Sequence, residues 1–122
     1  MDCPLNNLKC KYRLSFYNNR IPALMIDSKT GKIDDANTAA CEYYGYNREH
    51  LLSMNIWEIN ILGEEETKRE MQKAKDESRK FFKFRHKLAN GEIRDVEVHS
   101  GPIDINGKKL LFSIIHDIEA KL

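Results

Sequence analysis

The sequence has no long apolar run and almost no net charge. No stretch reaches the roughly 18 consecutive apolar residues of a membrane-spanning helix, so no membrane insertion is predicted. The 20 basic and 19 acidic residues leave a net charge of +1, which argues against a dedicated nucleic-acid binder. Hydrophobic residues make up 41% of the 122 residues, which excludes the composition of a disordered chain and predicts one folded domain.

Cysteine is also scarce, and the first residues lack the features of a secretory signal. Cys3, Cys10 and Cys41 form an odd number without a CxxC pair, which is typical of free thiols in a reducing compartment. Residues 1–4 (MDCP) contain no basic region followed by an apolar stretch. These features together predict a cytoplasmic protein.

Signatures of catalysis and metal binding are absent as well. The sequence contains no glycine-rich phosphate loop, GxSxG, HExxH or paired-carboxylate signature. Its four histidines, at positions 50, 86, 99 and 116, do not have the spacing of metal ligands. We therefore predict no catalytic residues, no metal site and no enzyme activity within this chain.

The beginning of the chain does have the pattern of an amphipathic helix. Leu5, Leu8, Tyr12 and Phe16 follow one another at steps of three, four and four residues, so a helix places them on one face. We predict a helical cap over residues 1–20 whose apolar face packs against another surface.

The next part of the chain alternates signals for short strands and helices. It predicts strands over residues 23–27 and 32–35 and helices over residues 38–44, 48–54 and 64–79. Asn37 and Asn47 precede the first two helices as N-caps, and Gly45 follows the first helix as a stop signal. The third helix can turn only a thin stripe toward a core, namely Thr67, Met71, Ala74 and Ser78.

The last third predicts three strands, and the first hairpin turns at Asn90-Gly91. With one bulge residue at this turn, Phe84 pairs with Val98 and His86 pairs with Val96 on the inner face. This register also sets opposite charges against each other on the outer face, pairing Lys87 with Asp95 and Arg85 with Glu97.

The second hairpin turns at Asn106-Gly107, which is typical of a two-residue type I′ turn. That turn predicts three inner-face pairs: Val98 with Ile115, Ser100 with Ser113, and Pro102 with Leu111. The outer face of the last strand then carries Leu110, Phe112, Ile114 and His116. So apolar a face must be covered by the first helix, by a second copy of the protein, or by both. The predicted class is α+β, with a five-stranded antiparallel sheet covered on one face by helices.

Four segments, in this order, resemble the PAS domain with its C-terminal PAC portion, the sensory module of many microbial signalling proteins. They are ALMIDSKTGKIDDAN, AACEYYGYNREHLL, FRHKLANGEIRDVEV and LLFSIIHDIE. The resemblance runs from Ile21 to Glu119, where Asp117-Ile118 match the family's closing Asp-Ile-Thr pattern and Glu119 replaces the threonine.

The resemblance implies a fold and a route for a signal. The sheet order would be 2-1-5-4-3, and its inner face and the helices would enclose a ligand pocket. Asp117 and Ile118 would form the signal exit, with residues 120–122 beginning a linker to an output domain. A histidine kinase or diguanylate cyclase output would lie outside this chain, which we expect to be part of a longer protein.

The predicted pocket residues are those that the register turns inward, together with nearby aromatic residues. They are Ile26, Tyr44, Trp57, Phe84, His86, Val96, Val98, Ser100, Ser113 and Ile115. The alternative for His86 is a core histidine with an internal hydrogen bond, and the two serines may simply bond to each other. Tyr44 and Trp57 are alternatively core or rim aromatics.

Two functions remain open at this point. The first is a sensor that binds a small molecule non-covalently and regulates its own output domain. The second is a ligand-free dimerisation or docking scaffold. A homodimer would use an apolar interface formed by Leu5, Leu8, Tyr12, Leu110, Phe112 and Ile114.

The resemblance does not identify a cofactor. A photosensor of the LOV type would need a cysteine in the stretch MNIWEIN, which has none, so covalent flavin chemistry is not expected. A haem PAS domain usually ligates iron through a histidine on its long helix, and residues 64–79 contain no histidine.

Overall fold

The sheet has five antiparallel strands, which lie in the order 2-1-5-4-3 that the resemblance implied when they are numbered along the chain. The computed structural model of the protein describes residues 16–118. The strands are β1 (Ala23–Asp27), β2 (Ile33–Ala36), β3 (Phe81–Lys87), β4 (Ile93–Ile105) and β5 (Lys108–Asp117). Because β1 and β5 are neighbours in the centre, the first and last strands of the domain lie side by side.

The segment between β2 and β3 forms the helices that cover the inner face of the sheet. These are α1 (Thr38–Tyr44), α2 (Arg48–Leu51), a 3₁₀ turn (Ile56–Glu58) and α3 (Glu64–Lys75). Both predicted N-caps are present: the side chain of Asn37 accepts from the N–H of Ala40 at 2.9 Å, and that of Asn47 from His50 at 2.8 Å.

Two helices end before their predicted last residues. After Leu51 the backbone N–H of Ser53 bonds to the carbonyl of His50, a three-residue step that tightens the chain into a turn. At the end of α3, Glu77 adopts a left-handed conformation with φ of 61°, which stops the helix before the predicted Arg79. The helical pattern of the sequence continues past the observed ends of both helices, because such a pattern does not show where the backbone turns.

The predicted register of the first hairpin is wrong by two residues. Phe84 pairs with Val96 rather than Val98, and His86 pairs with Arg94 rather than Val96. Since the shift is an even number of residues, Phe84 and His86 still point to the inner face.

The loop of this hairpin explains the shift. It contains three residues, 89–91, and the N–H of Leu88 closes it by donating to the carbonyl of Glu92 at 2.8 Å. Gly91 takes the predicted left-handed conformation, with φ of 91°. Ala89 does not pair with the opposite strand, since its N–H donates to the carbonyl of Tyr44 at 2.8 Å.

The predicted register of the second hairpin is confirmed. Val98 pairs with Ile115, and Ser100 pairs with Ser113. Asn106 has a φ of 54°, and Gly107 one of 75°, the pair of left-handed residues that a type I′ turn requires.

The two faces of the sheet carry two separate apolar clusters. The inner cluster packs the sheet against α1–α3, and the outer cluster joins Phe16, Ala23, Met25 and Leu110. Residues 16–18 are helical, and the ring of Phe16 packs edge-on against Phe112 with centroids 5.9 Å apart. Part of the outer face is therefore covered from within the chain. Leu5, Leu8, Tyr12 and residues 119–122 lie outside the described residues.

Candidate functional site

A small cavity lies between α3 and the inner face of the sheet. Its volume is about 40 Å³. Its walls come from strands β1, β3, β4 and β5, from α3, and from the segment before α3. The lining residues are Leu24, Ile26, Ile56, Asn60, Thr67, Glu70, Met71, Ala74, Phe82, Phe84, His86, Val98, Ser100, Leu111, Ser113 and Ile115.

Seven of the ten predicted pocket residues line this cavity. They are Ile26, Phe84, His86, Val98, Ser100, Ser113 and Ile115. The structure therefore brings these residues together, and whether they contact a ligand stays a prediction. Val96, Tyr44 and Trp57 lie elsewhere: Val96 is packed in the core, and Tyr44 lies beside His86 without reaching the cavity.

Trp57 is half-buried outside the cavity, which agrees with the alternative of a rim aromatic. Its ring lies against the backbone of Gly31, where a Cβ atom would be 2.1 Å from the nearest ring carbon. Gly31 also has a φ of 78°, so this contact depends on glycine in two ways. On its other side the ring meets the ammonium group of Lys68 at 5.2 Å.

The side chain of His86 makes one hydrogen bond within the described part of the chain. Its Nδ1 lies 2.8 Å from the hydroxyl of Tyr44, and both side chains are buried. Burial lowers the pKa of His86 to about 3 and raises that of Tyr44 well above its usual value. The imidazole is therefore neutral and the phenol protonated.

We assign the tautomer of His86 from the chemistry of this pair. A phenol hydroxyl is a better donor than acceptor, and an unprotonated imidazole nitrogen is a strong acceptor, so Tyr44 is assigned as the donor and Nδ1 as the acceptor. The proton of the neutral ring is then on Nε2, a second donor site of the cavity wall. His86 therefore has an internal hydrogen bond and also lines the cavity, and whether it contacts a ligand stays a prediction.

Ser100 and Ser113 bond to each other. Their hydroxyl oxygens lie 2.9 Å apart on neighbouring strands, and both residues line the cavity. One hydroxyl donates to the other, so the pair satisfies one of its two protons.

Helix α3 contributes cavity residues that the sequence prediction did not assign to a pocket. Thr67, Met71 and Ala74, the buried part of the predicted stripe, line the cavity together with Glu70. The Thr67 hydroxyl is buried and has no hydrogen-bond partner among residues 16–118. The spacing of the stripe indicates a side that faces the core, and the polar residue Thr67 within that buried part is the signal for a site.

The predicted signal exit at the end of β5 is tied to the neighbouring elements. The carboxylate of Asp117 accepts from the Tyr43 hydroxyl at 2.7 Å and from Nε of Arg94 at 2.8 Å. Burial, followed by the hydrogen bond with Asp117, raises the pKa of Tyr43 above its usual value. Ile118 is exposed, and its N–H donates to the carbonyl of Asp95 at 3.1 Å.

Within residues 16–118, no group of three or more His, Cys, Asp or Glu side chains is arranged to hold a metal ion. No helix in the same range is long and apolar enough to cross a bilayer. Cys41, the cysteine within that range, is a free thiol.

The comparisons identify the family of the chain. Residues 22–120 match the family model of the PAS domain. The PAS domain of an HTR-like protein from Haloarcula marismortui has the same fold, with a TM-score of 0.77 and 25% identity over 90% of this chain and 93% of that one. This chain belongs to the PAS domain family, a family of sensory modules in signal transduction.

Two curated relatives are much longer proteins. The diguanylate cyclase DgcM of Escherichia coli is 43% identical over 113 residues, which are 88% of this chain and 27% of that protein. A methyl sulfide methyltransferase-associated sensor of Methanosarcina acetivorans is 34% identical over 86 residues, 69% of this chain and 8% of that protein. The chain therefore spans about a quarter or less of these relatives.

Proposed function

We propose that this chain is the cytoplasmic sensory input module of a diguanylate cyclase, and that a small molecule held in the inner cavity regulates the cyclase. The observation that carries the proposal is the 43% identity to DgcM over 88% of this chain. Because the match occupies 27% of that relative, the catalytic output would lie in another part of the protein.

A connected set of contacts supports a route from the cavity to the exit. His86 on the cavity wall bonds to Tyr44, and the preceding residue in the chain, Tyr43, bonds to Asp117 at the exit. The two tyrosine rings are in edge contact, with centroids 5.0 Å apart. A ligand that moves His86 would thus shift α1 and the end of β5 together, provided that it binds the two arrangements with different affinity.

The proposal is tested by filling the cavity in the full-length gene product. Ala74 is buried on the cavity wall, so Ala74→Val places two extra methyl groups against a space of about 40 Å³. Ala39→Val, a half-buried change on α1, is the matched control. The measurement is the conversion of GTP to cyclic diguanylate, with and without the small-molecule fraction of a cell extract.

We expect the extract to change the cyclase rate of the wild type and of the Ala39→Val control, and to leave the rate of Ala74→Val constant. An equal response in Ala74→Val, in a variant that still folds, would contradict cavity control. A full-length product that forms no cyclic diguanylate under any condition would contradict the assigned output.

A scaffold function is the second candidate, and the outer face of β5 favours it. Phe112 and Ile114 are half-buried there, beside the apolar side chain of Ile103. We expect Ile114→Asp to convert a dimer to a monomer in sedimentation, whereas His116→Asp on the same face leaves the mass unchanged. Ile114 is a cleaner choice than Phe112, which packs on Phe16 of the same chain. An unchanged mass for Ile114→Asp would exclude this interface.

A further inference from the structure

The size of the inner cavity limits what it can hold. A water molecule needs roughly 10–15 Å³ of such space, so about 40 Å³ accommodates about three to four water-sized groups. Cavities for drug-sized ligands measure about 300–1,000 Å³. A nucleotide, flavin or haem therefore does not fit, and the occupant has only a few non-hydrogen atoms.

The charges around the cavity call for a neutral occupant. Glu70 is its charged wall residue, and its two carboxylate oxygens lie 2.9 Å from Lys73 and 3.7 Å from Arg79. His86 is neutral because burial lowers its pKa to about 3. An anion would meet no cation on the wall, and a cation would have to compete with Lys73 and Arg79 for Glu70.

Three of the polar groups on the wall have a proton that they can donate to an occupant. The Thr67 hydroxyl is buried without a partner, and Nε2–H of His86 has no hydrogen-bond acceptor among residues 16–118. The pair of Ser100 and Ser113 leaves one further hydroxyl proton unassigned. The remaining surface is apolar, with Met71 and Ile115 among its residues. Such a wall binds an oxygen that accepts hydrogen bonds and is attached to a short apolar body.

We propose that the cavity binds a neutral carbonyl compound of about four non-hydrogen atoms, whose oxygen accepts from His86 and Thr67. This rests on the proposed function and names the ligand class for the same cavity. A carbonyl oxygen fits best because it has two lone pairs and brings no donor of its own into surroundings already rich in donors.

Acetone and acetate are the probes, since they have the same shape and size and differ in charge. Each is titrated into the 122-residue chain while the imidazole nitrogen signals are followed by NMR, with the exposed His99 as the internal reference. We expect acetone to shift the Nε2 signal of His86 in a saturable way and acetate to leave it unchanged. No saturable shift with acetone, or an equal shift with both probes, would overturn the ligand class.

Two variants of Thr67 test the second contact. Thr67→Val keeps the shape and removes the hydroxyl, and Thr67→Ser keeps the hydroxyl. We expect Thr67→Val to weaken acetone binding roughly five- to tenfold, the usual effect of one lost hydrogen bond, and Thr67→Ser to change it less than about twofold. Unchanged affinity in Thr67→Val would remove Thr67 from the site.

The ligand class and the proposed function fail separately. If acetone does not bind but Ala74→Val still abolishes the response of the cyclase, the ligand class is wrong and the sensory function stands. If acetone binds as expected but Ala74→Val responds like the wild type, the cavity binds its ligand without controlling the output.

Discussion

Asn37 and the cavity wall are two buried polar sites of this domain that differ in whether their polar groups have hydrogen-bond partners. Asn37 is fully buried at the start of α1, and its amide is surrounded by backbone partners. On the cavity wall Thr67 has no partner, and His86 has one partner for two ring nitrogens. The two sites are equally inaccessible to solvent, so the difference between them is not one of exposure.

The hydrogen bonds of Asn37 join three segments. Its Oδ1 accepts from the N–H groups of Ala23 and Ala40 at 3.0 and 2.9 Å. Its Nδ2 donates to the carbonyls of Phe16 and Ile21 at 3.1 and 2.9 Å. One side chain thereby fixes the segment before β1, the start of β1 and the first turn of α1.

The contrast separates a polar site whose groups all have partners from one whose groups lack them. A buried network with every partner in place stabilises one arrangement, whereas an unpartnered group leaves a free-energy cost that a ligand can remove. The expected effects of substitution follow from this difference.

The largest effect is expected for Asn37→Ala. It leaves the N–H groups of Ala23 and Ala40 and two carbonyls without partners inside the domain, which should cost about 3 kcal/mol or more. The exposed cap Asn47 is the matched control, and Asn47→Ala should cost about 1 kcal/mol. Urea unfolding measures both, and equal losses in the two variants would mean that the buried network adds nothing beyond a cap.

A pH dependence is expected at the cavity wall. The pKa of His86 is about 3 in the folded chain and about 6.5 in the unfolded one, so between these values only the unfolded state binds the proton. Lowering the pH through this window therefore destabilises the fold, by about 1.4 kcal/mol per pH unit once the pH is well below 6.5. Above pH 6.5 this contribution is fully present.

His86→Gln isolates this contribution, since glutamine does not titrate and can still accept a hydrogen bond from Tyr44. The free energy of unfolding is measured between pH 7 and pH 5 for both proteins. We expect the free energy of unfolding of the wild type to fall as the pH is lowered. At the low end of the range, the slope of His86→Gln against pH should correspond to nearly one proton fewer. The same slope in both proteins would show that other groups cause it.

Tyr44→Phe should have a smaller effect. It removes the partner of Nδ1 of His86, so that both ring nitrogens are without a hydrogen bond. We expect the free energy of unfolding to fall by about 1–2 kcal/mol. The same change at the half-buried Tyr46, which stacks on His50, should cost little. Denaturant unfolding gives the costs, and the imidazole nitrogen signals should show a mixture of tautomers in Tyr44→Phe only.

The elements that sequence reasoning placed correctly are those with a local chemical signal. Asn37 caps its helix because an amide before an apolar run satisfies the first N–H groups, and that pattern is visible in the sequence. The turn at Asn106-Gly107 sets the β4–β5 register because both positions must be left-handed. The fold order came from the family resemblance rather than from such signals.

The features that were predicted wrongly depend on contacts distant in sequence. Charge pairing cannot distinguish the two registers of the first hairpin, since a shift of two residues gives Arg85 opposite Asp95 and Lys83 opposite Glu97, again opposite charges. The N–H of Ala89 in the hairpin loop bonds to the carbonyl of Tyr44, a contact between two elements that no local pattern connects.

The smallest effect on stability, and the most informative one for the route to the output, is expected for Tyr43→Phe. The domain has two groups of the same composition: Tyr43, Asp117 and Arg94 at the exit, and Tyr17, Asp35 and Arg48 on the other side of α1. In each group a tyrosine hydroxyl and an arginine donate to one carboxylate, so Tyr17→Phe is a control with the same chemistry. Each change should cost about 0.5–1.5 kcal/mol.

If the contact at Asp117 carries the signal, Tyr43→Phe reduces the response of the full-length cyclase to the extract while Tyr17→Phe preserves it. Equal responses in the two variants would place the route elsewhere in the sheet.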